Sequence, residues 1–159
     1  MAATPEARPF TTFNFLVEIR VPGVADRICE AAFSECDGME MSLEPKTIRE
    51  GGRNYGPVHM AGPVSYGQLT LKRGMTATFD LWKWFDLVAK SGHAEVRGRA
   101  EILVQSADRS SVDATFVLEG CLPVKLRAPA LSGKDGMVAI EEMQLVYETL
   151  SLREAQAGA

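Results

Sequence analysis

Two glycine-rich segments have the residue types from which phosphate-binding loops are built. The first contains Gly51, Gly52 and Gly56, and the second is Ser132-Gly133-Lys134. A P-loop needs the pattern Gly-x-x-x-x-Gly-Lys-Ser/Thr between a strand and a helix, whereas the lysine of the second segment is followed by aspartate. Neither segment therefore predicts a nucleotide site, and both are interpreted as loops.

The residues that could support metal binding or acid–base catalysis are few. The chain has two histidines, and His59 has no His, Cys or Asp at the spacing of a metal site. Glu141 and Glu142 are neighbours on a predicted strand, so their side chains point to opposite faces and cannot form a paired acid and base. Since no arrangement of Ser, Cys and His suggests a nucleophile, we expect no catalytic residue, no metal, no cofactor and no enzymatic activity.

Composition and charge exclude further classes. The chain has 159 residues, of which 46% are hydrophobic and 24% charged, as expected for a single globular domain over residues 1–159. Its net charge is -4 and no basic patch is evident, which argues against a specific nucleic-acid site. No stretch reaches the ~20 apolar residues of a membrane span, and the polar N-terminus lacks the apolar region of a signal peptide, so we expect cytoplasmic synthesis.

Cys29, Cys36 and Cys121 are expected to be reduced, with a Cys29–Cys36 bridge as the alternative.

The helix and the strand before it are the clearest elements. Tyr66–Arg73 alternates strictly between leucines and polar residues, which indicates a strand with one solvated face. Apolar residues then recur at helical spacing over Thr78–Lys90, with Thr78 as N-cap and Gly92 as C-cap. Trp82 and Phe85 lie on the predicted apolar face and are assigned to the core. Trp84 falls off that face, and if it is exposed we expect it to mark a protein contact.

Short strands account for most of the remaining chain. The Asp37-Gly38 dipeptide is a hairpin signal, which predicts that the strand after it pairs back against the strand before it. A Pro-rich connector is predicted over Pro123–Gly136. These features indicate a mainly β fold, a small antiparallel β-barrel or sandwich with one flanking α-helix. The other predicted strands are Phe13–Val21, Ile28–Cys36, Met39–Ile48, Arg99–Ser106, Val112–Gly120 and Met137–Leu152, the last being one long strand or a bent pair.

The order of these segments resembles the tail tube protein of contractile phage tails and of extracellular contractile injection systems. The resemblance covers nearly the whole chain and rests on Phe13–Glu18, Phe33–Glu40, Ile48–Gly52, Leu69–Gly74 with Leu81-Trp82, and Ala139–Glu148. It implies that six copies form a ring and that rings stack into a hollow inner tube whose lumen carries payload. It also implies a sheath protein and baseplate or spike hub proteins as partners, within an assembled phage-tail-like particle.

The segment Arg49–Pro63 is predicted to be a long assembly loop. A Gly- and Pro-rich loop of this length usually has a function, and its apolar side chains could offset the entropy of ordering by burial against a neighbouring subunit. We therefore expect it to form contacts between subunits, chiefly between rings. The candidate contact residues are Arg49, Glu50, Arg53, Tyr55, Met60 and Trp84. The termini, residues 1–10 and 153–159, are expected to be flexible tails.

Three alternatives stay open at this point. The composition of the long loop and the tail Arg153–Ala159 depart from the commonest form of the family, which leaves a tube-initiator or baseplate-proximal paralogue possible. A type VI-like secreted needle subunit would also assemble into rings. A monomeric β-barrel that binds a small ligand belongs to a different class, and it would elute as a monomer or dimer with a closed apolar pocket.

Overall fold

A computed structural model of the chain describes residues 9–10, 14–22, 33–52, 54–91, 96–134 and 136–155. Within these ranges the fold is mainly β with one helix, which confirms the predicted class. The elements are β1 (Phe15–Arg20), β2 (Glu35–Asp37), β3 (Met41–Ile48), β4 (Val58–Tyr66), β5 (Gln68–Gly74), α1 (Asp80–Ser91), β6 (Gly98–Gln105), β7 (Val112–Arg127), β8 (Ile140–Val146) and β9 (Thr149–Glu154).

Seven strands form one hydrogen-bonded array that bends at β7 into two layers. The first half of β7 pairs with β6 and β9, and β6 pairs with β1; we call this layer sheet A. The second half of β7 pairs with β8, which continues to β5 and β2; we call this layer sheet B. All these pairings are antiparallel, and in the described part of the chain the array is not closed on itself. The fold is therefore a sandwich, and the barrel alternative is wrong.

The core lies between the two sheets and is filled by alternate residues of their strands. Leu69 and Leu71 of β5 are buried, as the alternation predicts, and Met143 and Leu145 of β8 point to the same side. Sheet A supplies Val17, Ile19, Ala100, Ile102 and Leu118. This alternation leaves the other face of each sheet free for solvent or for other molecules.

Helix α1 packs into this core through a different stripe from the predicted one. Leu81 and Trp84 are fully buried and Val88 packs beside them, so the buried positions follow the i, i+3, i+7 spacing of one helix face. The prediction that Trp84 lies off the buried face and marks a protein contact is therefore wrong. Trp82, assigned to the core, is only half-buried, and its indole N–H donates to Oε2 of the buried Glu141 at 3.0 Å. Phe85 is also half-buried.

The start of the helix differs from the prediction as well. Asp80 is the first helical residue, and Phe79 before it has a φ of 51° while its carbonyl accepts from the Lys83 N–H at 3.0 Å. Phe79 therefore occupies the N-cap position, and Thr78 does not. Asp80 lies in the first turn, where its carboxylate accepts from the Leu81 N–H at 3.0 Å. The predicted C-cap, Gly92, lies outside the described residues.

The predicted hairpin at Asp37-Gly38 is wrong because the chain bends there without reversing. Glu35 lies opposite Lys72 in sheet B, and Met41 lies opposite Tyr66 beyond the bend, so one register runs through both pairings. Gly38 has a φ of 101°, and a Cβ on it would lie 1.9 Å from the Gln68 carbonyl oxygen. Only glycine fits so close to the opposite strand. Strands β2 to β5 therefore form one bent two-stranded ribbon.

Four other predicted boundaries change. Strand β4 includes residues 58–63, so only residues 49–57 of the predicted long loop connect two strands. Strand β7 runs on through the first part of the predicted connector, and β8 and β9 form the bent pair that was one of two alternatives for Met137–Leu152. Strand β9 ends at Glu154, so the predicted tail begins later. Most of the predicted strand Ile28–Cys36, including Cys29, lies outside the described residues.

Candidate functional site

A two-stranded hairpin, which we call the arm, extends from the sandwich. It consists of β3, β4 and the connection between them, residues 41–66, and each strand packs mainly on the other. Every residue of β3 is exposed. A hairpin that buries none of one strand against its own domain gains little from folding alone. The arm is therefore the part of the fold that most needs a partner.

The apolar residues of the arm lie in two separate patches. Near the base, Met41 and Leu43 lie on the same face as Val64, which is opposite Leu43, and all three are exposed. Farther out, Ile48 and Met60 are exposed on the opposite face. The serines that face away from the basal patch, Ser42 and Ser65, hydrogen-bond to each other at 2.8 Å. One face near the base is thus apolar and the other polar.

Four of the predicted contact residues lie together on the arm. Arg49, Glu50 and Tyr55 are exposed at its tip, and Tyr55 is 97% exposed; Met60 lies on β4. Arg53 falls outside the described residues. Trp84 is buried inside the domain and cannot belong to this group. The basal residues Met41, Leu43 and Val64 were missed, although their alternation in the sequence would have shown a shared face.

Tyr147 holds the base of the arm against sheet B. Its hydroxyl lies 2.9 Å from the Gly38 carbonyl oxygen and 3.0 Å from that of Glu40, to which it can donate, and it accepts from the Glu40 N–H at 3.0 Å. Its ring packs against the Tyr66 ring at a centroid distance of 5.7 Å. One buried side chain thus forms hydrogen bonds with backbone N–H and C=O groups at the bend of the ribbon. These bonds fix the position at which the arm leaves the sheet.

We expect Tyr147→Phe to loosen the arm without unfolding the sandwich. The variant removes the hydroxyl and leaves backbone groups of the bend without their partner, which costs about 1–3 kcal/mol. Amide hydrogen exchange should accelerate in β3 and β4 and stay slow in β6 and β7. Tyr66→Phe is the matched control, because the Tyr66 ring contacts Tyr147 but its hydroxyl takes no part in these bonds. Equal exchange in the two variants would show that the hydroxyl does not fix the arm.

Sheet A has a free edge at each end within the described part of the chain. Strand β1 pairs only with β6, and strand β9 pairs only with β7. Because three antiparallel pairings separate β1 from β9, the two edge strands run in opposite directions. Such edges usually invite pairing with another chain. A β9 edge of one copy and a β1 edge of another could thus join in antiparallel fashion.

Between these edges, the outer face of sheet A carries paired charges. Arg99 bridges Glu101 at 3.2 Å and Glu119 at 3.6 Å, and Arg153 also bridges Glu101, at 3.2 Å. Glu18 and Arg20 of β1 lie 3.8 Å apart. The part of this face that holds these ion pairs is therefore polar and locally neutral, whereas strand alternation places Leu16, Leu103 and Val117 on the same face.

The end of sheet B opposite the arm carries a second exposed apolar group. The connection between β7 and β8 exposes Leu131, Met137 and Val138, and Ile140 follows at the start of β8. We call these four residues the connector patch. Met137, Val138 and Ile140 line a cavity of about 320 Å³ together with Arg127 and other residues of sheet B. Exposed apolar groups of this kind mark interaction sites more often than single exposed leucines do.

No cluster of three or more metal-ligating side chains occurs among the described residues, whose thiol and imidazole side chains are those of Cys36, Cys121 and His59. Burial raises the pKa of the Cys121 thiol to about 12, and that of Cys36 to about 12 with a contribution from Asp37, so both are protonated at neutral pH. Both are free thiols, whereas Cys29, the third cysteine of the prediction, lies outside the described residues. His59 lies 3.4 Å from the Thr47 hydroxyl on the exposed surface of the arm. Within the described ranges, no helix is both long enough and apolar enough to cross a lipid bilayer.

Comparison with known families tests the predicted family. Residues 11–151 match the model of the T4-like virus tail tube protein gp19. The chain belongs to this tail tube protein family. A search of curated proteins found no match. The exposed arm, the free sheet edges and the connector patch are therefore features of a structural tube protein of phage tails and contractile injection systems, and the predicted family is confirmed.

Solved structures agree with this assignment. A chain in the cryo-EM structure of the anti-feeding prophage (AFP) baseplate is 25% identical to this chain, with a TM-score of 0.79. The match covers 94% of this chain and 99% of the AFP chain. A chain of the PVC sheath-tube complex, an extracellular contractile injection system, is 16% identical, with a TM-score of 0.77 and coverage of 94% and 95%. Hcp1 from Salmonella typhimurium shares the fold at 11% identity, with a TM-score of 0.53 and coverage of 91% and 89%.

Proposed function

We propose that six copies of this tube protein form a ring and that rings stack into a hollow tube whose lumen carries payload. A sheath protein surrounds the tube and baseplate or spike hub proteins close one end. The proposal rests on family membership for the tube and on one structural observation for the ring, namely the two antiparallel free edges of sheet A. Such a heterologous contact uses different surfaces on the two partners and generates a ring when the rotation closes.

Ring closure follows from the chemistry of an open sheet. The unpaired N–H and C=O groups of β9 in one copy meet those of β1 in the next, and each junction adds an antiparallel ladder. After six such junctions no free edge of sheet A remains in the ring. The ion-paired part of the outer face can then face a water-filled channel, because its charges are already paired.

The arm supplies contacts between rings in this proposal. Arg49 and Glu50 at its tip can pair with opposite charges of a neighbouring subunit, and Tyr55 and Met60 can bury their apolar side chains there. The predicted contact residue Arg53 belongs to the same segment. Tyr and Met are enriched in protein interfaces, whereas an exposed tyrosine at a hairpin tip has no role within the monomer.

Electron microscopy of the purified protein at increasing concentration tests the ring. We expect rings and stacked rings, and light scattering should give six times the chain mass of 17.3 kDa for the smallest assembly. Leu152→Lys, on the exposed edge strand β9, should block ring formation because a lysine on an edge opposes pairing. Ala89→Lys, on the exposed side of α1, is the matched control and should leave rings intact. A protein that stays monomeric at every concentration would contradict the proposal.

A baseplate-proximal or tube-initiating subunit is the second candidate. It is favoured by the similarity to a chain of the AFP baseplate, at higher sequence identity than the chain of the PVC sheath-tube complex. The same micrographs separate the two roles. A main tube subunit should form stacks of many rings, whereas an initiator should stop at single rings until another tube protein is added.

A further inference from the structure

The outer face of sheet A holds one carboxylate against a like charge beside a free edge. Glu18 of β1 lies directly opposite Glu101 of β6, and like charges opposite each other on two strands are destabilising. Arg20 on the same strand comes no closer to Glu18 than 3.8 Å. The Glu18 side chain is only 16% exposed, and its other side faces the free edge of β1. A cation on a strand added at this edge would therefore stabilise the face.

The opposite edge of the sheet offers such a cation. Arg153 of β9 is 53% exposed on the same outer face, opposite Thr115 of β7. Its Nη2 atom shares one acceptor, Glu101 Oε1, with Nη2 of Arg99, and both distances are 3.2 Å. Since a guanidinium group has five N–H donors, Arg153 can bind a second carboxylate beyond the edge of its own sheet.

We infer that neighbouring copies in a ring join in one register, in which Arg153 of one copy lies opposite Glu18 of the next. This inference rests on the proposed ring and specifies how its two edges meet. The antiparallel ladder then places Leu152 opposite Ile19. Both of these side chains point into the sandwich, so each residue of β9 meets a residue of β1 that faces the same way.

Closure of the sheet requires a stagger, and this register provides one. Within one copy, four residues lie at the same level on neighbouring strands, namely Val17, Ile102, Phe116 and Leu152. A register that set Leu152 opposite Val17 of the next copy, which we call the level register, would keep all strands level around the ring. A sheet closes into a barrel only when its strands tilt and their register shifts. Pairing Leu152 with Ile19 shifts the register at each junction by the smallest step that keeps every side chain on its face.

The same step in the other direction would lose the charge pairing. It would set Arg153 opposite Asn14, a buried side chain whose amide already donates to two backbone carbonyl groups. In that register, as in the level register, Glu18 would face an uncharged residue of β9. The proposed register has one cost, because it sets Glu154 opposite Val17. Glu154 ends β9 and is exposed, so its carboxylate can stay in water.

Cysteine pairing on the outer face measures the register. Single variants Arg20→Cys and Ser151→Cys, both in a Cys29→Ala background, are mixed and oxidised mildly under conditions that give wild-type rings. The mixture should form covalent dimers, because the proposed register sets these two residues opposite each other. Thr149→Cys, which lies opposite Arg20 in the level register, replaces Ser151→Cys in the control mixture and should give far fewer dimers. More dimers from the control mixture, or none from either mixture, would overturn the inference.

Charge exchange tests the pair itself. Arg153→Glu should raise the concentration at which half of the protein is in rings roughly three- to tenfold, because it sets two carboxylates against each other at each junction. Adding Glu18→Arg to the same chain should bring that concentration back near the wild-type value. Adding Glu119→Arg instead restores the same net charge on the same face. It should give no recovery, because Glu119 lies on β7, away from the edge.

The monomer and the ring should respond differently to Glu18→Arg alone. The substitution removes the like charge opposite Glu101, so urea unfolding of dilute protein should show no loss of stability. Rings should form less readily, because two arginines then meet at each junction. Wild-type ring formation by Arg153→Glu, or equal recovery by the two second-site changes, would overturn the register and leave the ring proposal standing. Wild-type protein without rings would instead overturn the proposed function, and this inference with it.

Discussion

Trp84→Ala is expected to lower the free energy of unfolding by about 3–5 kcal/mol. The side chain is fully buried, and it is the largest of the fully buried side chains in the described part of the chain. Its ring reaches Gly98 at the start of β6, where an added Cβ would lie only 3.1 Å from Trp84 Cζ2. Removing the indole therefore leaves a cavity where α1 meets sheet A.

Urea unfolding of the monomer measures this effect, with an unchanged m-value indicating that the two-state transition is kept. Trp84→Phe should recover much of the loss, because the Trp84 indole N–H has no hydrogen-bond partner among the described residues. Trp82→Ala serves as the matched control and should cost less, since Trp82 is only half-buried. A larger loss for Trp82→Ala than for Trp84→Ala would contradict the placement of the helix.

Arg73→Met is the second substitution with a large expected effect, about 3–5 kcal/mol. Arg73 Nε donates to Glu141 Oε1 at 2.7 Å, both side chains are 2% exposed, and the guanidinium also pairs with Asp80. Its Cζ lies 5.4 Å from the centre of the Phe33 ring. Without the guanidinium, the Trp82 N–H is the one side-chain donor that the described residues leave to the buried Glu141 carboxylate, and the start of α1 loses its ion pair with β5.

A double-mutant cycle separates the pair from its surroundings. Arg73→Met with Glu141→Leu should be more stable than Arg73→Met alone, because the second substitution removes the unpaired buried charge. Lys72→Met is the control: Lys72 pairs with Glu35 at 3.1 Å, but both side chains are at least 35% exposed, so the expected loss is within ~1 kcal/mol. If Arg73→Met costs no more than Lys72→Met, the buried network does not hold the helix.

Elements whose pattern is local were predictable from the sequence. The alternation in β1, β5, β6 and β7 follows from burial of one face, and the spacing in α1 follows from packing against the core. The helix also shows the limit of this reasoning. Leu81 and Val88 are compatible with two buried faces of the helix, one that includes Trp82 and one that includes Trp84. The choice between these faces depends on the position of Glu141, which lies on another strand.

Long-range pairing could not be predicted. Asp37-Gly38 favours a tight turn in isolation, but here residues more than thirty positions away form the pairing partner, and the ribbon bends instead. Arg73 and Glu141 did carry a signal, because they continue the inward positions of Leu71 and Met143. A charged residue at an inward position is easily taken for the end of a strand, so the ion pair was not foreseen. The contact residues of the assembled tube stay a prediction.

The single register that joins the arm to sheet B has a mechanical consequence. A force along the ribbon loads the backbone hydrogen bonds between its two strands in shear. Many hydrogen bonds then share the load and none breaks first. Pulling the same strands apart sideways would open the bonds one after another at far lower force. An arm held by an adjacent ring can therefore transmit axial thrust directly into the sandwich, and Tyr147 sits at the bend where that load changes direction.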